Sequence, residues 1–340
     1  MSQPGNEKTM RTITLEEHFV TPEFMEGPGH ELGERARSAQ DQTPMAPITA
    51  HLVDQLLDLD DLRISDMDAA GIDVQVLSLN SPGVEQLDSS AAVTLAHQTN
   101  DYLWDAIQRH PNRLAGFATL PTAAPDIAAS ELDRTVREYG FKGAVINGHI
   151  QGRYLDDPFF WPIFERAEAL QVILYLHPTP PPPPVIQVSY TGNFAPGVTA
   201  LLAASGWGWH IETAIHILRI ILGGVFDRYP HLQLMIGHLG EALPFMLPRL
   251  DNNLPTQLTK LDRPIGAYLR ENIYYTFSGF NYIPNFLDLL FQVGVERIMF
   301  SADYPYSSML VAKNFLEQLP ISPSDKNRIA HRNAERILRM

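Results

Sequence analysis

LAGFATLPTAAPDIAASELDRTVREYGFKGAVIN, residues 114–147, holds one complete structural repeat. Leu114 to Leu120 is a short apolar run of strand length. From Asp126 to Tyr139, Ile127, Leu132 and Val136 recur on one side at helical spacing. Gly140 can adopt the left-handed conformation that ends a helix, and Phe141 leads into a second apolar run at 143–147. Strand, helix and strand follow with short joints, and such an order forces the two strands to lie parallel.

The same alternation extends outward in both directions. Strand-length runs occur at 12–16, 73–79, 114–120, 143–147, 172–176, 233–237, 272–276 and 297–301, which makes eight. Helical spacing fills 51–69, 88–109, 126–139, 159–170, 209–226 and 283–292, and a last amphipathic helix is expected over 325–338. In 51–69, Leu52, Leu56, Leu59, Arg63 and Met67 share a face opposite Asp58, Asp60 and Asp61, and Gly71 ends it. The fold expected is α/β, a distorted TIM (β/α)8 barrel with long rim loops. Residues 1–10 read as a disordered extension and 11–340 as one barrel domain with insertions at about 19–50 and 178–206. The second insertion contains Pro180 to Pro184, which favours an extended, stiff segment because proline fixes φ and donates no backbone hydrogen bond.

Composition narrows the functional classes. Of 340 residues, 25 are Lys or Arg and 39 Asp or Glu, a formal charge of −14, with no basic run to follow a phosphate backbone. Nucleic acid is therefore not an expected partner. Cysteine is absent, so disulfides, thiolate ligands and cysteine nucleophiles are excluded. There is no apolar stretch of membrane-spanning length and no secretory h-region near Met1, and the expected location is the cytoplasm. Neither a nucleotide-binding fingerprint nor a tandem repeat is present, and Gly223-Gly224 reads as a helix end.

Chemistry-bearing residues collect where the strands end, the mouth of such a barrel. On the first strand, period two puts Glu16 and His18 on one face and Glu17 on the other. That pattern alone fits a ligand pair or simple edge polarity. His177 follows the fifth strand, and His238 ends the sixth with Glu241 three residues on, placed to orient or deprotonate it or to cap a helix. Asp303 follows the eighth, as a metal ligand, a proton carrier or a turn former before Tyr304-Pro305. Oxygen and imidazole donors together suit Mn²⁺, Fe²⁺, Co²⁺ or Zn²⁺. His97, His110, His216 and His331 read as structural or surface groups, and His149 as a loop residue within reach of the mouth. Phe24, Tyr190, Trp207 and Trp209 are aromatic candidates for framing a ring-shaped ligand.

The runs Leu15-Glu16-Glu17-His18-Phe19, Tyr175-Leu176-His177-Pro178, Gly237-His238-Leu239-Gly240-Glu241 and Ser301-Ala302-Asp303-Tyr304-Pro305 together resemble the metal-dependent decarboxylase branch of the amidohydrolase superfamily, in particular 2,3-dihydroxybenzoate and gamma-resorcylate decarboxylases. The likeness spans about residues 11 to 338 and includes 79–83, 114–120 and 140–148. By this resemblance Glu16, His18, His177 and Asp303 are metal ligands, His238 and Glu241 handle protons, and Asp303 also protonates substrate. It implies one divalent ion, Mn²⁺ preferred over Zn²⁺, and no organic cofactor. Asn80, Asn147 and Arg249 are the implied substrate contacts, with Phe24 added from the aromatic candidates above, and a homodimer or homotetramer is the implied assembly. One departure stands out: relatives commonly carry arginine after the His-Pro pair, where this chain has Thr179.

The reaction so implied is non-oxidative decarboxylation of a small ortho-hydroxy aromatic acid to a phenol and CO₂. The same ligands also permit metal-dependent hydrolysis of a lactone or amide. A purely structural role would instead leave the strand-end polar groups without metal or turnover.

Overall fold

The computed structural model describes residues 10–30 and 51–340. The reading of residues 1–10 as disordered lies outside the described residues except for Met10, as does the 31–50 part of the first insertion.

Nine strand segments form the centre: β1 Ile13–Phe19, β2 Val74–Leu79, β3 Leu114–Gly116, β4 Ala118–Thr119, β5 Gly143–Asn147, β6 Ile173–His177, β7 Gln233–Ile236, β8 Ile273–Thr276 and β9 Ile298–Met299. β3 and β4 are one strand interrupted at Phe117, whose N–H still donates to the Leu77 carbonyl at 2.9 Å. Every pairing between neighbours is parallel. A bridge from Leu15 to Ser301, with the Leu15 N–H on the Phe300 carbonyl at 3.1 Å, joins first strand to last. The eight expected strands thus close into a barrel.

Alternation sorts their side chains into two layers. Ile13, Leu15, Val74, Val76, Ala115, Phe117, Val145, Ile173, Tyr175, Met235, Tyr274 and Met299 fill the lumen as one apolar cluster, with Ala334 and Leu338 of the last helix packed against it. The intervening residues, among them Leu77, Ile146, Leu174 and Ile236, pack outward against the helices. Burying each such side chain stabilises the fold by roughly 1.5–3 kcal/mol. One step further along each strand the lumen turns polar, at Asn147, His177, Thr276 and Ser301, all buried. The barrel is therefore solid at its N-terminal half and carries its chemistry at the C-terminal mouth.

The helix expected over 51–69 divides into Leu52–Leu57 and Asp61–Ala70. Asp58 causes the break: its Oδ1 accepts from the backbone N–H groups of Asp60 at 3.0 Å and Arg63 at 3.1 Å, starting a new helix. Gly71 ends it at φ +67°, as read. The helices Ser89–Arg109, Pro125–Glu138, Trp161–Leu170, Gly208–Leu222 and Ile283–Val293 match the spacing. The segment 325–338 is helical with a π-turn at Arg328–Arg332. Leu243–Asn253, Ile265–Glu271 and Met309–Gln318 were not anticipated. The proline run is extended only to Pro182. Helical turns then cover Pro183–Val185, Ile186–Tyr190 and Pro196–Ala203, since proline suits a helix's first turn, where no N–H is required. Among the described residues no helix is long and apolar enough to cross a membrane.

Candidate metal centre and proton-handling cluster

The site begins with an irregularity in β1. Its register against β2 shifts between Thr14 and Glu17, and Glu16 sits at φ +65°. This is a bulge, one extra residue on the strand. Ile13 and Leu15 already face the lumen, so an unbroken period would send Glu17 inward and Glu16 with His18 outward. The bulge reverses the phase. Glu16 and His18 do share a face, as the sequence indicated, but the bulge makes that face the lumen.

Donor atoms of Glu16, His18 and His177 lie within 4.8 Å of one another. His177 Nε2 is 3.5 Å from Glu16 Oε1, and Asp303 Oδ1 is 3.1 Å from His18 Nε2. Thr276 donates to Glu16 Oε2 at 3.2 Å, whereas the buried Oε1 has no hydrogen-bond partner. Burial pushes the Glu16 carboxyl up to about 8, with His238 opposing and Asp303 adding to the rise. Burial, with His18 and His238 nearby, holds His177 well below its usual value, so its ring is neutral with a lone pair to give. An orphaned buried carboxylate oxygen beside two imidazoles is a poor arrangement alone and a fitting one around a single divalent cation.

A second cluster adjoins the first. His238 Nδ1 donates to Glu241 Oε1 at 2.7 Å, and its Nε2 lies 3.7 Å from Glu16 Oε1, facing the lumen. Burial opposes charge on His238, but Glu241 and then Glu16 outweigh it and raise its pKa; the same contact lowers that of Glu241 despite burial. Glu241 ends a 3₁₀ turn at φ +55°, and its carboxylate is taken up by histidines. Sequence reasoning passed over His210, whose Nδ1 meets Glu241 Oε2 at 2.6 Å. The only available signal was its place at the start of a helix entering from the second insertion.

Glu17, the residue left facing outward, supports the centre from behind. Its carboxylate accepts from the backbone N–H of Ala302 at 2.9 Å and of Tyr304 at 3.2 Å, the residues flanking Asp303. Gln75 Nε2 donates to it at 3.3 Å. Arg63, wholly buried on the apolar face where the sequence put it, donates to the His18 carbonyl at 2.7 Å and to Gln75 Oε1 at 3.1 Å. Backbone around the centre also departs from the ordinary: Glu16, His238, Glu241, Ser278 and Asp303 all have φ between +48° and +66°.

Asn147, in register with His177, is buried with both amide atoms unpartnered. Asn80 accepts from Tyr306 Oη at 2.8 Å, and the Tyr306 ring lies 5.6 Å from that of His18. The other two expected substrate contacts differ in exposure. Phe24 is wholly buried in the apolar core, with its ring close against Gly29. Arg249 is exposed on the outer side of Leu243–Asn253. Of the other aromatics, Trp207 lines a cleft of about 520 Å³ that reaches His210, His238 and Glu241. Trp209 touches His210, and Tyr190 is buried in the insertion. His97, His110, His216 and His331 have structural partners in Glu131, Asp60, the Leu155 N–H and Glu335. His149 accepts from the Gly152 N–H at 3.1 Å and closes its own turn. Thr179 is buried, and a side chain on Gly148 would strike its methyl group, so this position packs the rim.

The Amidohydrolase family profile matches residues 48–340. A gamma-resorcylate decarboxylase of Polaromonas sp. is 36% identical over 96% of this chain and 98% of its own length. The solved structure of 5-carboxyvanillate decarboxylase from Novosphingobium aromaticivorans, complexed with manganese and 4-hydroxy-3-methoxy-5-nitrobenzoic acid, superposes with TM-score 0.87 at 35% identity, covering 99% of this chain and 98% of that one. 2,6-Dihydroxybenzoate decarboxylase from Rhizobium gives TM-score 0.84 at 32% identity, covering 97% and 99%. On strand order, buried donor set and full-length likeness, the chain belongs to the amidohydrolase family, in its branch of metal-dependent decarboxylases.

Proposed function

We propose that this enzyme removes CO₂ without oxidation from an aromatic acid bearing a hydroxyl ortho to its carboxylate, a hydroxybenzoate or close relative, and leaves a phenol. The observation that carries this reading is the orphaned Glu16 Oε1 between His177 and His238, with Asp303 reaching the same lumen through His18. Glu16, His18, His177 and Asp303 would hold one divalent cation, Mn²⁺ in preference to Zn²⁺ since manganese accompanies the similar 5-carboxyvanillate enzyme. Such a cation supplies positive charge that binds the acid's ortho oxygens and favours the phenolate.

The chain's own groups do the rest. With the Glu16 charge that favours the imidazolium offset by the cation it would hold, His238, fixed on Glu241 with Nε2 toward the lumen, is free to take the phenol proton. Asp303, protonated when the acid binds, gives that proton to the ring carbon that carries the carboxylate, making that carbon tetrahedral. The bond to the carboxylate breaks, its electron pair returns to the ring, and CO₂ leaves as aromaticity is restored. At the end the proton held by His238 returns to the phenolate and solvent reprotonates Asp303. Asn147, with its amide free, binds a polar substituent of the ring, and Asn80 holds Tyr306 over His18. The chain is read as a single domain (11–340) working in the cytoplasm, and the exposed Phe245 and Phe291, 75% and 84% accessible in one chain, favour its assembly into a homodimer or homotetramer.

The test is metal analysis of the purified protein, then assay of 2,3- and 2,6-dihydroxybenzoate, salicylate and hydroxynaphthoates in ¹⁸O-water. CO₂ and phenol are expected in equal amounts, with no ¹⁸O in the phenol, lost on chelation and restored by Mn²⁺. Solvent oxygen in an organic product without CO₂ would establish lactone or amide hydrolysis instead. Asp303→Asn is expected to lower kcat roughly a hundred- to ten-thousandfold in protein of unchanged fold.

A further inference from the structure

We infer that His210 is a positioning residue for this reaction: by taking one oxygen of Glu241, it locks the other onto His238 and so fixes how His238 presents its ring to the lumen. The inference rests on the proton-handling role proposed for His238.

Glu241 is buried, and its two oxygens have different partners, His238 Nδ1 at 2.7 Å and His210 Nδ1 at 2.6 Å. A carboxylate held at one oxygen can still turn about its last bond; held at both, it cannot. Because a carboxylate only accepts, both Nδ1 atoms carry protons. In a neutral His238 ring the lone pair is then confined to Nε2, on the Glu16 side. The two imidazoles lie edge to face at 4.6 Å, each also against Phe280, at 5.1 and 5.3 Å, so neither ring can swing away freely. His210 is held at its far end too, where Nε2 accepts from the Trp209 indole N–H at 3.1 Å.

These three residues also have the composition of a cation site, but their geometry is that of a hydrogen-bonded set. Separations of 2.6 and 2.7 Å are hydrogen-bond lengths, and each Glu241 oxygen is satisfied, in contrast to Glu16 Oε1. His210 enters from the helix Gly208–Leu222, so the end of the second insertion directly orients the group after β7.

Two variants of the metal-loaded enzyme test this. His210→Ala removes the donor, while His210→Asn places an amide N–H near the position of Nδ1. With 2,6-dihydroxybenzoate as probe, His210→Ala is expected to lower kcat roughly ten- to hundredfold, as loss of an orienting partner does elsewhere, with KM little changed. His210→Asn should recover most of it. Independently of turnover, ¹⁵N-histidine spectra should show His238 protonated at Nδ1 in the wild type and in His210→Asn, and a mixture of tautomers in His210→Ala; the resonance is identified by its loss in His238→Asn. If the wild type decarboxylates no acid, the functional reading fails while the spectra still decide the role of His210. Wild-type kcat in His210→Ala, an unchanged His238 resonance, or a second bound metal that this variant abolishes would each overturn the inference.

Discussion

Gly237 shows how closely the centre is fitted. A methyl group on it would lie 2.5 Å from Glu16 Oε2 and 2.8 Å from Ser278 Oγ. Its φ of −87° suits any residue, so backbone freedom is not why glycine is needed there. The atoms struck are the ends of side chains, which can give way, and the one that must move is a proposed ligand. Gly237→Ala is therefore expected to weaken metal affinity about tenfold or more, a loss typical of disturbed ligand positioning, while costing only about 1–3 kcal/mol in stability. Titration of the apoprotein with Mn²⁺ beside thermal melts checks both, and unchanged affinity would show that Glu16 does not bind metal. At this scale the sequence was legible wherever a polar residue ended an apolar run, as at His177, His238 and Asp303. His210 escaped because one histidine in a helical segment looks like packing. Arg249 was drawn in by resemblance alone, and Phe24 as an aromatic on a long loop.

The connection after β9 depends on the strand beside it. Asp303 sits between two residues whose N–H groups both end on Glu17, and Arg63 ties the neighbouring His18 carbonyl to the helix Asp61–Ala70. Glu17→Gln keeps the shape but offers one oxygen to two donors, leaving an N–H unpaired at a cost of about 1–3 kcal/mol. The variant should melt lower and, through displacement of Asp303, lose roughly ten- to a hundredfold in kcat. Retention of both, in differential scanning calorimetry and metal-loaded assays, would mean that the 301–305 turn holds itself. All eight strands and most long helices were readable from hydrophobic period alone, whereas Leu243–Asn253, Ile265–Glu271 and Met309–Gln318 were not. Their interruptions were not, since the bulge at Glu16, the break at Asp58 and the helical end of the proline run are each set by contacts or local backbone that a count of apolar spacing omits.

Stability of the entire chain should carry the mark of one buried acid. Burial pushes the Glu85 carboxyl up to about 7 from the ordinary 4.5, against the Asn147 N–H that favours its ionised form. The folded protein keeps this proton up to about pH 7, whereas the unfolded chain releases it near 4.5. Glu85 therefore makes stability fall as pH rises through that window, and has no further effect above it. Glu85→Gln mimics the protonated form, so its stability relative to wild type should grow by up to about 3 kcal/mol across the window, at 1.36 kcal/mol per unit. Urea unfolding at several pH values measures this, and a constant difference would mean that Glu85 is already ionised in the fold. The apolar filling of the lumen has a consequence for traffic. With Leu15, Phe117, Tyr175 and Met299 closing one end, the barrel is a cul-de-sac. The acid enters by the doorway through which both products depart, so gas and phenol must file out in turn, and a crowded solution of the phenol would slow the enzyme by occupying its exit.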